Sequence, residues 1–161
     1  FLERVEGYGV EMMKAHNFHP QDCMWIFSHS GINNVNIDIA LESKKRGMKV
    51  IVFGSAAAAK GKKTRHSSGK NIFEIADIVV DSCAPIEDAS VPLKNHCDKI
   101  GPVSTMAFVT AVWMTVTTVA EILADRGVKL FIHPSHNAGV GNAKERLEEA
   151  LSEYKRRIAG V

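Results

Sequence analysis

Apolar runs of strand length alternate along this chain with stretches patterned at helical spacing. Met24-Trp25-Ile26-Phe27 is the first run, and it stops at Ser28-His29-Ser30-Gly31. Behind the stop, Ile37, Ala40, Leu41 and Lys44 recur at helical spacing, which predicts a helix over 34–46 ended by Gly47. Val50-Ile51-Val52-Phe53 is continuously apolar, as expected of a strand covered on both faces, and ends at Gly54-Ser55. A short helix over 71–76 and a third strand at Ile78-Val79-Val80-Asp81 follow. Upstream, 1–16 reads as the end of a helix, and Pro20 marks a loop over 17–22. Downstream, 82–98 is a long connection carrying Pro85 and Pro92. Gly101-Pro102 opens a long apolar helix that runs to about 125–126 and ends at Gly127. Leu130-Phe131-Ile132 reads as a short last strand, and 136–142 as a turn-rich loop. Over 143–158, Leu147, Leu151, Tyr154 and Ile158 form one stripe of a charged amphipathic helix.

Strand, helix, strand, short helix, strand, long helix is an α/β order with a parallel sheet. Ligands of such sheets bind beyond the carboxyl ends of the strands. Ser28, Ser30, Ser55 and Asp81 all fall at or just past those ends. A strand that breaks at Ser-x-Ser-Gly and restarts as a helix aims hydroxyls and free backbone N–H groups at one point. The helix start carries about half a positive charge there, so an anion, phosphate above all, is the natural occupant.

Composition narrows the partners. The 161 residues suffice for one domain with a real core, and apolar and charged contents of 45% and 24% are ordinary for a soluble protein. A net charge of +2 gives no reason to expect nucleic acid or an anionic membrane surface. Cys23, Cys83 and Cys97 are odd in number and lack metal-type spacing; free thiols in a reducing, cytoplasmic compartment are expected. Phe1-Leu2-Glu3-Arg4 leads into acidic residues without the apolar core of a signal peptide. The uncharged stretch 103–120 approaches membrane-spanning length. Its Ser104, Thr105, Thr110, Thr115, Thr117 and Thr118, with no flanking basic cluster, favour a buried helix of a soluble protein. Lys60, Lys62, Lys63, Arg65 and Lys70 make 56–70 basic, either a solvated loop or a lid over an anionic ligand.

Ser28-His29-Ser30-Gly31 after a strand resembles the phosphate loop of the sugar isomerase (SIS) phosphosugar-binding domain. Gly101-Pro102-Val103-Ser104-Thr105 resembles that fold's second, substrate-side turn. Together with Arg65-His66-Ser67-Ser68-Gly69-Lys70 and Ala76-Asp77-Ile78-Val79-Val80-Asp81, these motifs are similar to the UPF0309 type of bacterial SIS protein. The resemblance implies a three-layer, flavodoxin-like parallel sheet over 1–142, lacking the family's N-terminal helix and first strand. The charged helix over 143–161 would then stand apart. It also implies a homodimer or higher homo-oligomer and a sugar-phosphate ligand, with no cofactor and no metal.

On that resemblance Ser28, His29, Ser30, Gly31 and Asn33 meet the phosphate, with Ser55 as a third hydroxyl. Ser104 and Thr105 contact the sugar. Ser28, Ser30 and Ser104 are equally placed to act as helix caps, and Ser55 as an ordinary turn serine. Arg65 and Lys70 suit the phosphate or a carboxylate on the sugar. Aldose–ketose isomerisation needs a carboxylate base, for which Glu87, Asp88 and Glu74 are candidates, Glu87 and Asp88 lying in the long loop. It also uses a histidine at the ring oxygen, His66 or His136, with His66 favoured by its motif. His16/His19 and His133/His136 lack the partner carboxylate of a helical zinc motif, and Gly139-Val140-Gly141-Asn142 follows no clear strand, so it makes a poor dinucleotide loop. Aldose–ketose isomerase is the leading expectation. Ether cleavage or deamination of an amino-sugar phosphate, and a sensing module that catalyses nothing, are the alternatives.

Overall fold

The computed structural model describes residues 1–135 and 141–159, so His136, Gly139 and Val140 lie outside the described residues. Two compact units are present, Phe1–Trp113 and Met114–Val161. In the first, a 3-10 turn at Leu2–Arg4 precedes helix α1 (Tyr8–Lys14). Then come β1 (Cys23–Phe27), α2 (Asn34–Lys45), β2 (Lys49–Gly54), α3 (Ala56–Ala59), α4 (Ile72–Ile75) and β3 (Ile78–Asp81). The three strands form a parallel sheet in the order β1-β2-β3, with Met24 opposite Val50 and Ile51 opposite Ile78. The fold is α/β with a parallel sheet, as the pattern of runs implied.

Alternation along the strands explains the layering. Met24, Ile26, Val50 and Val52 face α2 and α4, where they pack with Ile37, Ala40 and Ile72 in the core. Each such side chain fully buried contributes roughly 1.5–3 kcal/mol. The opposite face is aromatic: Phe53 stacks on Phe27 at 4.8 Å and lies 5.1 Å from Trp25. β2 is the central strand, and Val50, Val52 and Phe53 are fully buried from both sides of it.

Residues 82–103 are more structured than a long connection. They include an antiparallel hairpin, β4 (Ala89–Pro92) with β5 (Lys99–Pro102), in which Val91 pairs with Ile100. Both strands are four residues long and largely exposed, too short for the pattern of the chain to announce them. The tetrad Ala56–Ala59 is helical, capped by Ser55.

Helix α5 (Ser104–Asp125) corrects one expectation. The polar residues within 103–120 predict a buried core helix, yet Ser104 is its only buried residue. Phe108 reaches Phe27 at 5.9 Å, while Met106 and Met114 stand about two-thirds exposed at 70% and 65%. Three short strands do not offer enough apolar surface to cover a 22-residue helix. By length and composition alone α5 is apolar enough to cross a membrane.

The second unit holds the charged amphipathic helix α6 (Ala143–Ile158) at the position read from its stripe. Glu153 accepts bonds from Arg156 and Arg157, which hold its carboxyl down at about 2. The strand expected at Leu130–Ile132 is irregular; with no neighbouring strand among the described residues to satisfy its backbone, an apolar triplet has no ladder to join.

Candidate functional site

The loop between β1 and α2 is fastened to its surroundings by one amide and four carbonyls. Ser28 N–H donates to the Phe53 carbonyl at 3.0 Å, and Ser55 N–H to the His29 carbonyl at 3.0 Å. Asn71 Nδ2 donates to the Ser30 carbonyl at 3.1 Å, Ile72 N–H to the Gly31 carbonyl at 3.1 Å, and Thr64 Oγ1 to the Ile32 carbonyl at 3.4 Å. Gly31 turns the chain with φ of +69°, and a Cβ on it would lie 2.4 Å from Asn71 Oδ1 and 2.6 Å from the Phe73 ring. Only glycine fits there.

With its carbonyls engaged, the loop meets α2 amide-first. Asn33 sits at the N-cap but makes no side-chain cap bond. Its Nδ2 donates to Glu3 at 3.0 Å, and Asn34 Nδ2 donates to the Arg4 carbonyl at 2.9 Å. The first-turn N–H groups therefore keep their partial positive charge uncapped. A cavity of about 280 Å³ opens at this point, lined by Arg4, Ile32, Asn33, Asn34, Lys63 and Arg65. Arg4 lies 3.7 Å from Glu3, whereas Lys63 and Arg65 have no carboxylate partner among the described residues. Three cationic side chains and a helix start thus share one small polar space.

The structure places the other site candidates as follows. Ser28 is buried, and its Oγ accepts from Gly31 N–H at 3.2 Å, so it braces the turn. Ser30 is half-buried beside it. His29 Nε2 donates to the Ile86 carbonyl at 3.3 Å; its Nδ1 is buried with no hydrogen-bond partner among the described residues. Ser55 is fully buried, with its hydroxyl donating to the Ala84 carbonyl at 2.7 Å and accepting from Ala58 N–H at 3.1 Å. That hydroxyl ties β2 to the loop after β3.

Ser104 belongs to a cap. Asp88 accepts from Ser104 Oγ at 2.8 Å, from Ser104 N–H at 2.7 Å and from Val103 N–H at 3.0 Å, closing the start of α5. Burial pushes the Asp88 carboxyl up, but those bonds and the nearby His29 charge outweigh it and hold it below the usual carboxylate range. Thr105 lines a different space, an apolar groove of about 420 Å³ with Phe27, Phe108, Val109, Val112 and Trp113. Glu87 is exposed and bonded to Lys99 Nζ at 2.8 Å, and that bond and charge hold its carboxyl low. A base tuned toward neutrality shows the opposite shift.

His66 is buried, with Nε2 3.0 Å from Asp38 Oδ1 and Nδ1 2.8 Å from Ser68 Oγ. Both ring nitrogens are engaged. Asp38 and Arg4 were not anticipated. Asp38 had a signal, since an acid on the apolar stripe of α2 between Val35 and Leu41 must find a buried partner. Arg4 had none, because its place depends on how the first turn folds back on Asn34. His96, Cys97 and Asp98 bring donor atoms within 4.8 Å of one another on an exposed turn, although His96 Nδ1 already accepts from Asp98 N–H.

Comparison with known proteins follows the same residues. The sequence profile described as "SIS domain" matches residues 1–55, the span holding the Ser28–Gly31 loop. A UPF0309 protein of Shouchella clausii is 34% identical over 157 residues, covering 98% of this chain and 63% of that protein. A UPF0309 protein of Oceanobacillus iheyensis has the same identity and coverage. One from Thermoanaerobacter pseudethanolicus is 30% identical over 160 residues, covering 98% and 64%. The chain therefore spans just under two thirds of the length of these relatives. A crystal structure described as that of a hypothetical protein matches 84% of this chain and 57% of its own, at 19% identity and a TM-score of 0.43. The SIS-domain profile thus matches the first third of the chain, and similarity to UPF0309-type proteins extends over nearly all of it.

Proposed function

We propose that this chain binds a sugar phosphate, with the phosphate at the head of α2. The cavity shared by Arg4, Lys63, Arg65 and the uncapped amides carries this reading. A phosphate of about −1.5 to −2 charge is matched there by two unpaired cations, a third nearby and the helix dipole. Ser30 and Asn33 supply short-range polar contacts. The SIS-domain match over residues 1–55 agrees with this ligand class.

The reaction we assign is aldose–ketose isomerisation, with Glu87 as base and His66 at the ring oxygen. Glu87 must leave Lys99 to act, and His66 must act through a partner, since its nitrogens are occupied. Those two facts favour a second reading, in which the domain senses a sugar phosphate without converting it. Hydrogen exchange at substrate C2 in heavy water separates the two. Isomerase chemistry requires exchange in the wild type and its loss in Glu87→Gln; a sensor binds without exchange. We further propose a cytoplasmic homo-oligomer, with the apolar side of α5 as its contact.

A further inference from the structure

We propose that Ser68 is an activated nucleophile, and that the chain carries an acyl-transfer activity toward carboxylic esters in which His66 serves Ser68 rather than a sugar ring oxygen. Three residues stand in line. The Asp38 carboxylate is buried in the packing of α1 against α2, where its Oδ2 also accepts from Gly7 N–H at 2.7 Å and Gly9 N–H at 3.2 Å. The close fit of Gly9, where a Cβ would meet the Asp38 side chain at 2.6 Å, fixes this carboxylate in place. Its Oδ1 lies 3.0 Å from His66 Nε2, and Glu6 Oε1 lies 3.8 Å from the same nitrogen.

These partners settle the tautomer. A carboxylate only accepts, so Nε2 carries the proton. Nδ1 is then the basic nitrogen, and the Ser68 N–H that donates to it at 3.1 Å agrees. Ser68 Oγ, 2.8 Å from Nδ1, is the nearer donor and shares that nitrogen's one lone pair with the N–H. The oxygen accepts from Lys70 N–H at 3.2 Å, which leaves a second lone pair free. Asp38 and His66 are buried while Ser68 is exposed, so the chain of bonds ends at solvent. A buried carboxylate orienting an imidazole that takes the proton of an accessible serine is the logic of a nucleophilic triad, here with the roles of the two ring nitrogens exchanged.

In the reaction, Ser68 Oγ forms a bond to the ester carbonyl carbon while its proton passes to His66 Nδ1. The bond from that carbon to the alcohol oxygen then breaks, and the alcohol leaves with the proton from Nδ1. Water repeats the sequence on the acyl-serine, releasing the acid and restoring Ser68. His66 is the general base and acid of this scheme, and Asp38, which acts through it, is a positioning residue.

The test treats the full chain with a fluorophosphonate probe and locates the adduct by mass spectrometry. Phosphonylation makes the bond from Ser68 Oγ to phosphorus and expels fluoride. Ser67 is an internal control, since its hydroxyl donates to Glu6 instead. We expect an adduct on Ser68 at least about tenfold faster than on Ser67, lost in Ser68→Ala and slowed at least about tenfold in His66→Gln. 4-Nitrophenyl acetate hydrolysis should fall in parallel. Equal labelling of Ser67 and Ser68 in the wild type, or no label, overturns the proposal without any variant having to fold. Labelling of Ser68 unaltered in a folded His66→Gln also overturns it.

Discussion

Single hydroxyls and carboxylates in this chain divide between holding the strand-end loops and facing open space. Ser55 is of the first kind. Replacing it by Ala leaves the Ala84 carbonyl and Ala58 N–H without their partner, at a cost of about 1–3 kcal/mol. Urea unfolding of Ser55→Ala should show that loss, while phosphate binding by the folded variant stays within twofold of the wild type. Asp88 gives a pH signature. Its folded carboxyl titrates below the unfolded value of about 3.9, so its cap on α5 contributes fully above that pH and is lost as pH falls through the lower folded value. Melting temperatures of the wild type and Asp88→Asn should therefore differ at pH 6 and draw together only as pH falls from the unfolded value through the lower folded one. At this scale the sequence exposed residue types better than their tasks. Ser28-His29-Ser30-Gly31 could be picked out by eye, but not that Ser28 would brace the turn, because that depends on the Gly31 amide coming round to meet it. Likewise the motif around His66 was visible, but its buried partner Asp38 comes from 28 residues upstream.

Among the elements, α2 joins fold and site. Its apolar side closes the core, and its first turn faces the cationic cavity uncapped. Those two properties oppose each other, because a side-chain cap would stabilise the helix and occupy the anion's position. Asn33→Asp tests this. An aspartate there gains from the helix dipole but forfeits the bond to Glu3 and faces its carboxylate, so stability should change little. It should lower affinity for phosphate at least about tenfold, read by titration calorimetry. A folded variant with unchanged phosphate affinity would separate the helix start from the anion. The strands and long helices were legible because β1, β2 and β3 are apolar runs and α2 and α6 are periodic. The hairpin of β4 and β5 was not, since its strands are four residues long and largely exposed. The expected strand at Leu130–Ile132 failed because apolarity supplies no ladder partner.

For the whole molecule, the exposed apolar side of α5 and the anion cavity make separate demands. Met106, Val109 and Met114 are all about half exposed or more, a surface that a single copy in water does not favour. If a second copy covers it, sedimentation should show a concentration-dependent dimer that Val109→Glu abolishes. Flotation with lipid vesicles and no dimer in detergent-free buffer would instead assign the helix to a bilayer. The cavity at the head of α2 carries the functional reading, and it is testable without knowing the reaction. The most direct measurement is the melting temperature of the full chain with pentose, hexose, heptose and amino-sugar phosphates and with the matching free sugars, in the wild type and in Lys63→Ala/Arg65→Ala. At 100 times its dissociation constant a ligand adds about 2.7 kcal/mol of stability. The expected result is a rise with at least one phosphorylated sugar, none with its free counterpart, and loss of the rise in the double variant. A rise that survives removal of both cations, or no rise with any sugar phosphate, contradicts an anion site at the head of α2.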